Sequence, residues 1–138
     1  MWHALKKIAG RTRHQLARLL EKLGIAPGTL TPQQVRAVKT ARQVSKGDCE
    51  QAAEVLRKIL PGGAKRRFAG DRLLHEVYIH EGMTYDVTAK QYVRPGIWTP
   101  EELAEAGLIK TVESGVFTLE QHKTFMQRVI QVFGGVED

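Results

Sequence analysis

Cys49 is the only cysteine among the 138 residues. It follows Gly47-Asp48 and opens a stretch in which Ala52, Val55, Leu56 and Ile59 form one apolar stripe. Its spacing, three residues before Ala52 and seven before Leu56, puts it on the core-facing side of a helix, at the N-terminal end. There the first backbone N–H groups are unpaired and the helix dipole favours an anion. A thiolate is such an anion, so this position lowers a thiol pKa and raises its reactivity. Gly47 permits a tight turn and a close approach of substrate to the backbone. The N–H of Cys49 is then available to an oxyanion.

A thiolate nucleophile needs a base and a group to orient that base. His75 and His80 lie in the segment Leu73 to His80, which alternates in the manner of a strand. His75 shares a face with Val77 and Ile79, the side expected to point inward, and is the preferred base. His80 shares the other face with Glu76 and Tyr78. His3, His14 and His122 sit among polar neighbours on expected helices and are read as solvated. Asp86 is the natural orienting residue. A two-residue loop at Glu81-Gly82 pairs Val77 with Asp86 and His75 with Thr88, which sets Asp86 diagonal to His75 on one face. A three-residue loop shifts the register and moves Asp86 to the other face, with Tyr85, Val87 and Ala89 set against Val77 and Ile79, which is the better hydrophobic match. In that case Gln91 or a backbone carbonyl orients the ring.

These residues resemble a papain-like cysteine peptidase motif. In Gln43-Val44-Ser45-Lys46-Gly47-Asp48-Cys49 a glutamine lies six residues before the nucleophile, as the oxyanion glutamine does in papains. The stretch His75 to Thr88 is similar to the histidine hairpin of papain-fold toxin domains: a histidine begins a strand, a glycine turns it, and the next strand ends in Tyr-Asp. The resemblance covers residues 43–88. Glu50 stands where papains carry an aromatic residue, and only 25 residues separate Cys49 from His75. So short a spacing removes most of one lobe and implies a narrow deamidase, transpeptidase or single-target protease. It also implies the site Cys49, His75, Asp86 and Gln43, delivery as a toxin domain that acts in the cytoplasm of a target cell, a protein substrate, and an inhibitory immunity partner.

The elements that must position these groups can be read from period and punctuation. A first helix is expected from about Trp2 to Leu23. Thr31-Pro32-Gln33-Gln34 is a capping box with proline at the first helical position, and opens a second helix through Val35, Val38 and Ala41. The Cys49 helix ends at Pro61-Gly62-Gly63, and Lys65-Arg66-Arg67 is expected as a basic loop. Strands follow over Leu73 to His80 and Met83 to Tyr92. Thr99 caps a short helix to Ala106, Leu108 to Val112 and Val116 to Phe117 read as a second hairpin, and Thr118 caps a last helix that Gly134-Gly135 stops. Helices first and strands later predict an α+β fold. The expectation is one domain over residues 1–138, with a helical part (1–60) packed on a small antiparallel sheet carried by residues 73–138, a minimal papain-like arrangement.

The length suits one domain that buries its own core, and no apolar run approaches the roughly 20 residues needed to span a bilayer. The Met1–Gly10 stretch lacks the apolar core of a signal peptide. Residues 1–72 carry 16 basic and 5 acidic side chains, a balance of +11, whereas residues 73–138 carry 5 and 10, a balance of −5. A basic half attracts nucleic acid, anionic lipid or an acidic protein. Two other readings of the sequence follow from that charge. One is a metal-free ribonuclease toxin that uses His75 and His80 with the Lys65–Arg67 loop. The other is a non-catalytic nucleic-acid-binding domain. No zinc-ligand spacing and no glycine-rich phosphate loop is present, so neither cofactor nor metal is implied.

Overall fold

A computed structural model describes residues 30–137 apart from residue 95; the helix expected over Trp2 to Leu23 lies outside them. Helix α1 (Pro32–Ser45) starts as its capping box dictates: the Thr31 hydroxyl accepts from the Gln34 N–H, and the Gln34 side chain accepts from the Thr31 N–H. Lys46 and Gly47 both take left-handed backbone, with φ of 47° and 92°. They turn the chain into α2 (Cys49–Ile59), whose N-cap Asp48 accepts from the Gln51 N–H at 3.1 Å.

Five strands follow: β1 (Ala64–Ala69), β2 (Leu74–His80), β3 (Met83–Tyr85), β4 (Val116–Thr118) and β5 (Val136–Glu137). They form one antiparallel sheet in the order β4-β3-β2-β1-β5. A 3-10 turn (Ala89–Tyr92), α3 (Pro100–Glu105) and α4 (Ile109–Ser114) lie between β3 and β4, and α5 (Leu119–Phe133) precedes β5. The α+β class is therefore as expected, with α1 and α2 packed on an antiparallel sheet.

Both faces of the sheet are covered. Tyr78 and Tyr85 pack against Ala37, Ala41, Ala53 and Leu56 of α1 and α2. Val77 and Phe117 pack on the opposite side against Phe125, Met126 and Val129 of α5, with Leu108, Val112 and Trp98. A fully buried side chain of this size contributes roughly 1.5–3 kcal/mol, so the alternation of β2 is stabilised from both sides. Tyr78 ties the layers together: its hydroxyl donates to the Leu60 carbonyl and accepts from the Gly63 N–H at 2.8 Å. Position 63 must be glycine, because a Cβ there would lie 2.1 Å from the Ile79 carbonyl and 2.6 Å from the Tyr78 ring.

Three elements differ from expectation. Lys65, Arg66 and Arg67 are not a loop but the middle of β1, paired with Tyr78, Val77 and Glu76. Their charge is compatible with a strand because it stays near solvent, where Lys65 meets Glu54 at 2.6 Å and Arg66 meets Glu137 at 2.8 Å. The strand expected from Met83 to Tyr92 stops at Tyr85: the Asp86 N–H still bonds the Gly115 carbonyl at 2.7 Å, in line with the β3–β4 pairs, and the chain then turns into the 3-10 segment at Ala89. Residues 109–114 are helical rather than half of a hairpin: Ile109 and Val112, three apart, bury together, and the Thr111 hydroxyl bonds back to the Leu108 carbonyl. Packing overrides the β-propensity of that stretch.

Candidate active site

The β2–β3 turn fixes the site. Glu81 and Gly82 both have positive φ, 50° and 75°, as a two-residue type I′ hairpin requires. Tyr78 therefore pairs with Tyr85 and His80 with Met83. This is the register of the two-residue loop, and Asp86 leaves β3 one residue past the last pair. Gly115 approaches it so closely that a Cβ would lie 2.9 Å from the Val87 Cα and 3.3 Å from the Asp86 carbonyl.

His75 is fully buried at the start of β2, and Asp86 is 1% exposed. Nε2 of His75 lies 2.8 Å from each carboxylate oxygen of Asp86. Nε2 thus donates to Asp86, and Nδ1 is the ring position left to gain or lose a proton. Nδ1 is buried and has no hydrogen-bond partner. Burial by itself works against a charged ring here, but the Asp86 charge and hydrogen bond overcome it. Cys49 acts in the same direction, and the His75 pKa is pushed up to about 10. Burial likewise opposes ionisation of Asp86, yet the His75 charge and the hydrogen bonds from His122 and His75 hold its carboxyl well below the usual range. The pair is an imidazolium–carboxylate at neutral pH.

Cys49 is the first residue of α2 and is half-buried. Its thiol points to the backbone of the residue before His75, with Sγ 3.9 Å from the Leu74 carbonyl. This end of α2 leaves the Cys49 N–H outside the helical ladder. Tyr92 closes the other side of the ring, edge-on to His75 with centroids 4.9 Å apart at 86°. Burial raises the Tyr92 phenol pKa, as do the charges of Asp86 and Cys49, and the Gln91 side chain opposes them. Cys49, His75, Asp86 and Tyr92 therefore converge.

Gln43 does not join them. It is exposed on α1, with no hydrogen bond to Cys49, His75 or Asp86. The cause is helical phase: Arg42 and Ser45, three residues apart, face inward, and Gln43 lies about 100° further round. His80 is half-buried and stacks on Tyr78, with centroids 6.2 Å apart, on the opposite face of β2 from His75. A joint acid–base role for the two histidines has no common side to work from.

His122, expected in solvent, is 3% exposed, and its Nε2 donates to Asp86 Oδ2 at 2.9 Å. Its polar neighbours Gln121 and Lys123 masked the signal. His122 lies three residues before Phe125, four before Met126 and seven before Val129, which is the buried stripe of α5. The Thr88 hydroxyl completes the surroundings of Asp86, 3.5 Å from Oδ1. No group of three or more His, Cys, Asp or Glu among the described residues is arranged to hold a metal. No described helix is long and apolar enough to cross a membrane. No protein-family model matches the chain, and neither does any curated protein or solved structure, so what characterises it is this buried His75–Asp86–His122 cluster beside a thiol at a helix N-terminus.

Proposed function

We propose that the chain is a cysteine hydrolase of papain-like type that attacks an amide in a protein substrate, and that it serves as an antibacterial toxin domain in the cytoplasm of a target cell. One observation carries the reading. The imidazole of His75 is fixed through Nε2 by a buried carboxylate, and its unbonded Nδ1 belongs to a ring whose charge Cys49 favours. This is the order of groups that thiol-based acyl transfer requires: nucleophile, base, and a group that orients the base.

The chemistry follows. Sγ of Cys49 adds to the amide carbonyl carbon while His75 holds the proton at Nδ1. The Cys49 N–H donates to the oxyanion that develops. The C–N bond then breaks, and the leaving amine takes the Nδ1 proton. A water gives a proton to Nδ1 and its hydroxide to the acyl carbon. The C–S bond breaks, which releases the acid and restores Cys49. If the leaving group is ammonia the reaction is deamidation, and if it is a peptide amine the reaction is cleavage. An immunity protein in the producing cell belongs to this reading. Cys49, not the basic surface, is then the essential group, and nucleic acid has no part in the reaction.

The test is expression in the bacterial cytoplasm. The wild type should arrest growth, and Cys49→Ala, shown to be folded by circular dichroism, should not. A folded Cys49→Ala protein as toxic as the wild type would refute the proposal. Released ammonia, set against new N-termini in a treated cell extract, separates the two reactions.

A further inference from the structure

A cavity of about 310 Å³ opens between the C-terminal end of α1 and residues 87–91. It is lined by Arg42, Ser45 and Gly47 on one side and by Thr88, Lys90 and Gln91 on the other. Its place relative to the thiol is set by the chain: Gly47 lies two residues before Cys49. Thr88 reaches Asp86, and Gln91 acts on the Tyr92 hydroxyl. Its lining thus adjoins the site through Gly47 in the chain and through Thr88 at Asp86.

Its chemistry is uniform. Two cations, Arg42 and Lys90, line it together with two hydroxyls and a carboxamide, and no carboxylate does. The Ser45 hydroxyl is 3% exposed and has no hydrogen-bond partner. A buried hydroxyl left unpaired costs about 1–3 kcal/mol, so it favours any occupant that bonds to it. The guanidinium of Arg42 spends Nε on the Val87 carbonyl and Nη2 on the Glu113 carbonyl, at 3.4 and 2.7 Å. It therefore offers charge rather than the free two-pronged fork that suits phosphate. Lys90 is exposed and pairs with no acid among the described residues. The size is at the small end for ligand pockets and fits one side chain.

We propose that this cavity is the specificity pocket of the hydrolase and takes the carboxylate of an acidic residue that flanks the attacked amide in a peptide substrate. The proposal rests on the thiol-hydrolase reading. Lys90 and Arg42 neutralise the carboxylate, and Ser45 donates to it. Thr88 and Gln91 close the pocket toward Asp86 and Tyr92.

The experiment uses capped dipeptide vinyl sulfones that are identical except for Glu, Gln or Lys beside the electrophile, with Cys49 adduct formation followed by intact mass. The Glu reagent should label the native protein about tenfold faster than the Gln reagent, and the Lys reagent should be slowest. Lys90→Glu should invert the order of Glu and Lys, and Ser45→Ala should narrow the gap between Glu and Gln. If Cys49 reacts equally with all three, or keeps the Glu preference in Lys90→Glu, the pocket assignment fails and the hydrolase reading stands. If no reagent labels native Cys49, while all label the denatured chain, both fail.

Discussion

Asp86→Asn removes the charge that two buried histidines share, and the consequence can be worked from the site. In the unfolded chain His75 loses its proton near pH 6.5, and in the folded chain near 10. That gap corresponds to about 5 kcal/mol of preference for the charged ring in the native state. Between the two values the native protein holds one more proton than the unfolded chain. Its stability therefore falls as pH rises, by about 1.4 kcal/mol per unit. The contribution is complete below pH 6.5 and lost above about 10. Asp86 acts with the opposite sign: its lowered pKa stabilises the fold above about pH 4 and is lost on acidification. The assay is urea unfolding at pH 6.5, 7.5 and 8.5, followed by tryptophan fluorescence. It is done in a Cys49→Ala background so that thiol ionisation does not enter. Asp86 remains in that background and outranks Cys49 among the groups that raise the His75 pKa. Stability should drop by about 2 kcal/mol over the two units, because the unfolded ring is still half protonated at pH 6.5. Asp86→Asn should lower stability at pH 6.5 by about 3 kcal/mol, because a buried partner is removed, and should abolish the slope. A Cys49→Ala protein equally stable at pH 6.5 and 8.5, or an Asp86→Asn protein that keeps the slope, would show that the His75–Asp86 pair is not ionised as described.

His122→Phe should fit among Phe68, Phe117 and Phe125 but leave Asp86 Oδ2 with one donor fewer. The expected loss is about 1–3 kcal/mol, and His122→Gln, whose amide N–H can take the place of Nε2, should recover part of it; equal stability of the phenylalanine variant and the wild type in thermal melts would deny the hydrogen bond any weight. Gly63→Ala sets a methyl against the Ile79 carbonyl and the Tyr78 ring. It should cost about 1–3 kcal/mol or more, and an unchanged urea midpoint would contradict the close packing of the α2–β1 connection on β2.

Local rules carried much of the structure. The Thr31 and Thr118 capping boxes, the Asp48 N-cap ahead of Cys49, and the Glu81-Gly82 turn each act within a few residues, where side chain and backbone meet without help from the rest of the chain. The inward set of His75 also followed from alternation alone. Between the two possible registers, however, hydrophobic pattern favoured the wrong one. It assumed a sheet with one buried face, whereas helices cover both, and Tyr78 is as buried as Val77. The sequence by itself therefore determined which residues begin helices, where the chain reverses, and that a thiol opens a helix while an imidazole opens a strand. Only the tertiary structure decided that β4 and Gly115 hold the backbone of Asp86 at the end of β3 while its carboxylate meets His75, that α5 brings His122 to the same carboxylate 36 residues away, and that Gln43 stays outside. Contacts between distant segments depend on how whole layers pack, and no short stretch of residues encodes that.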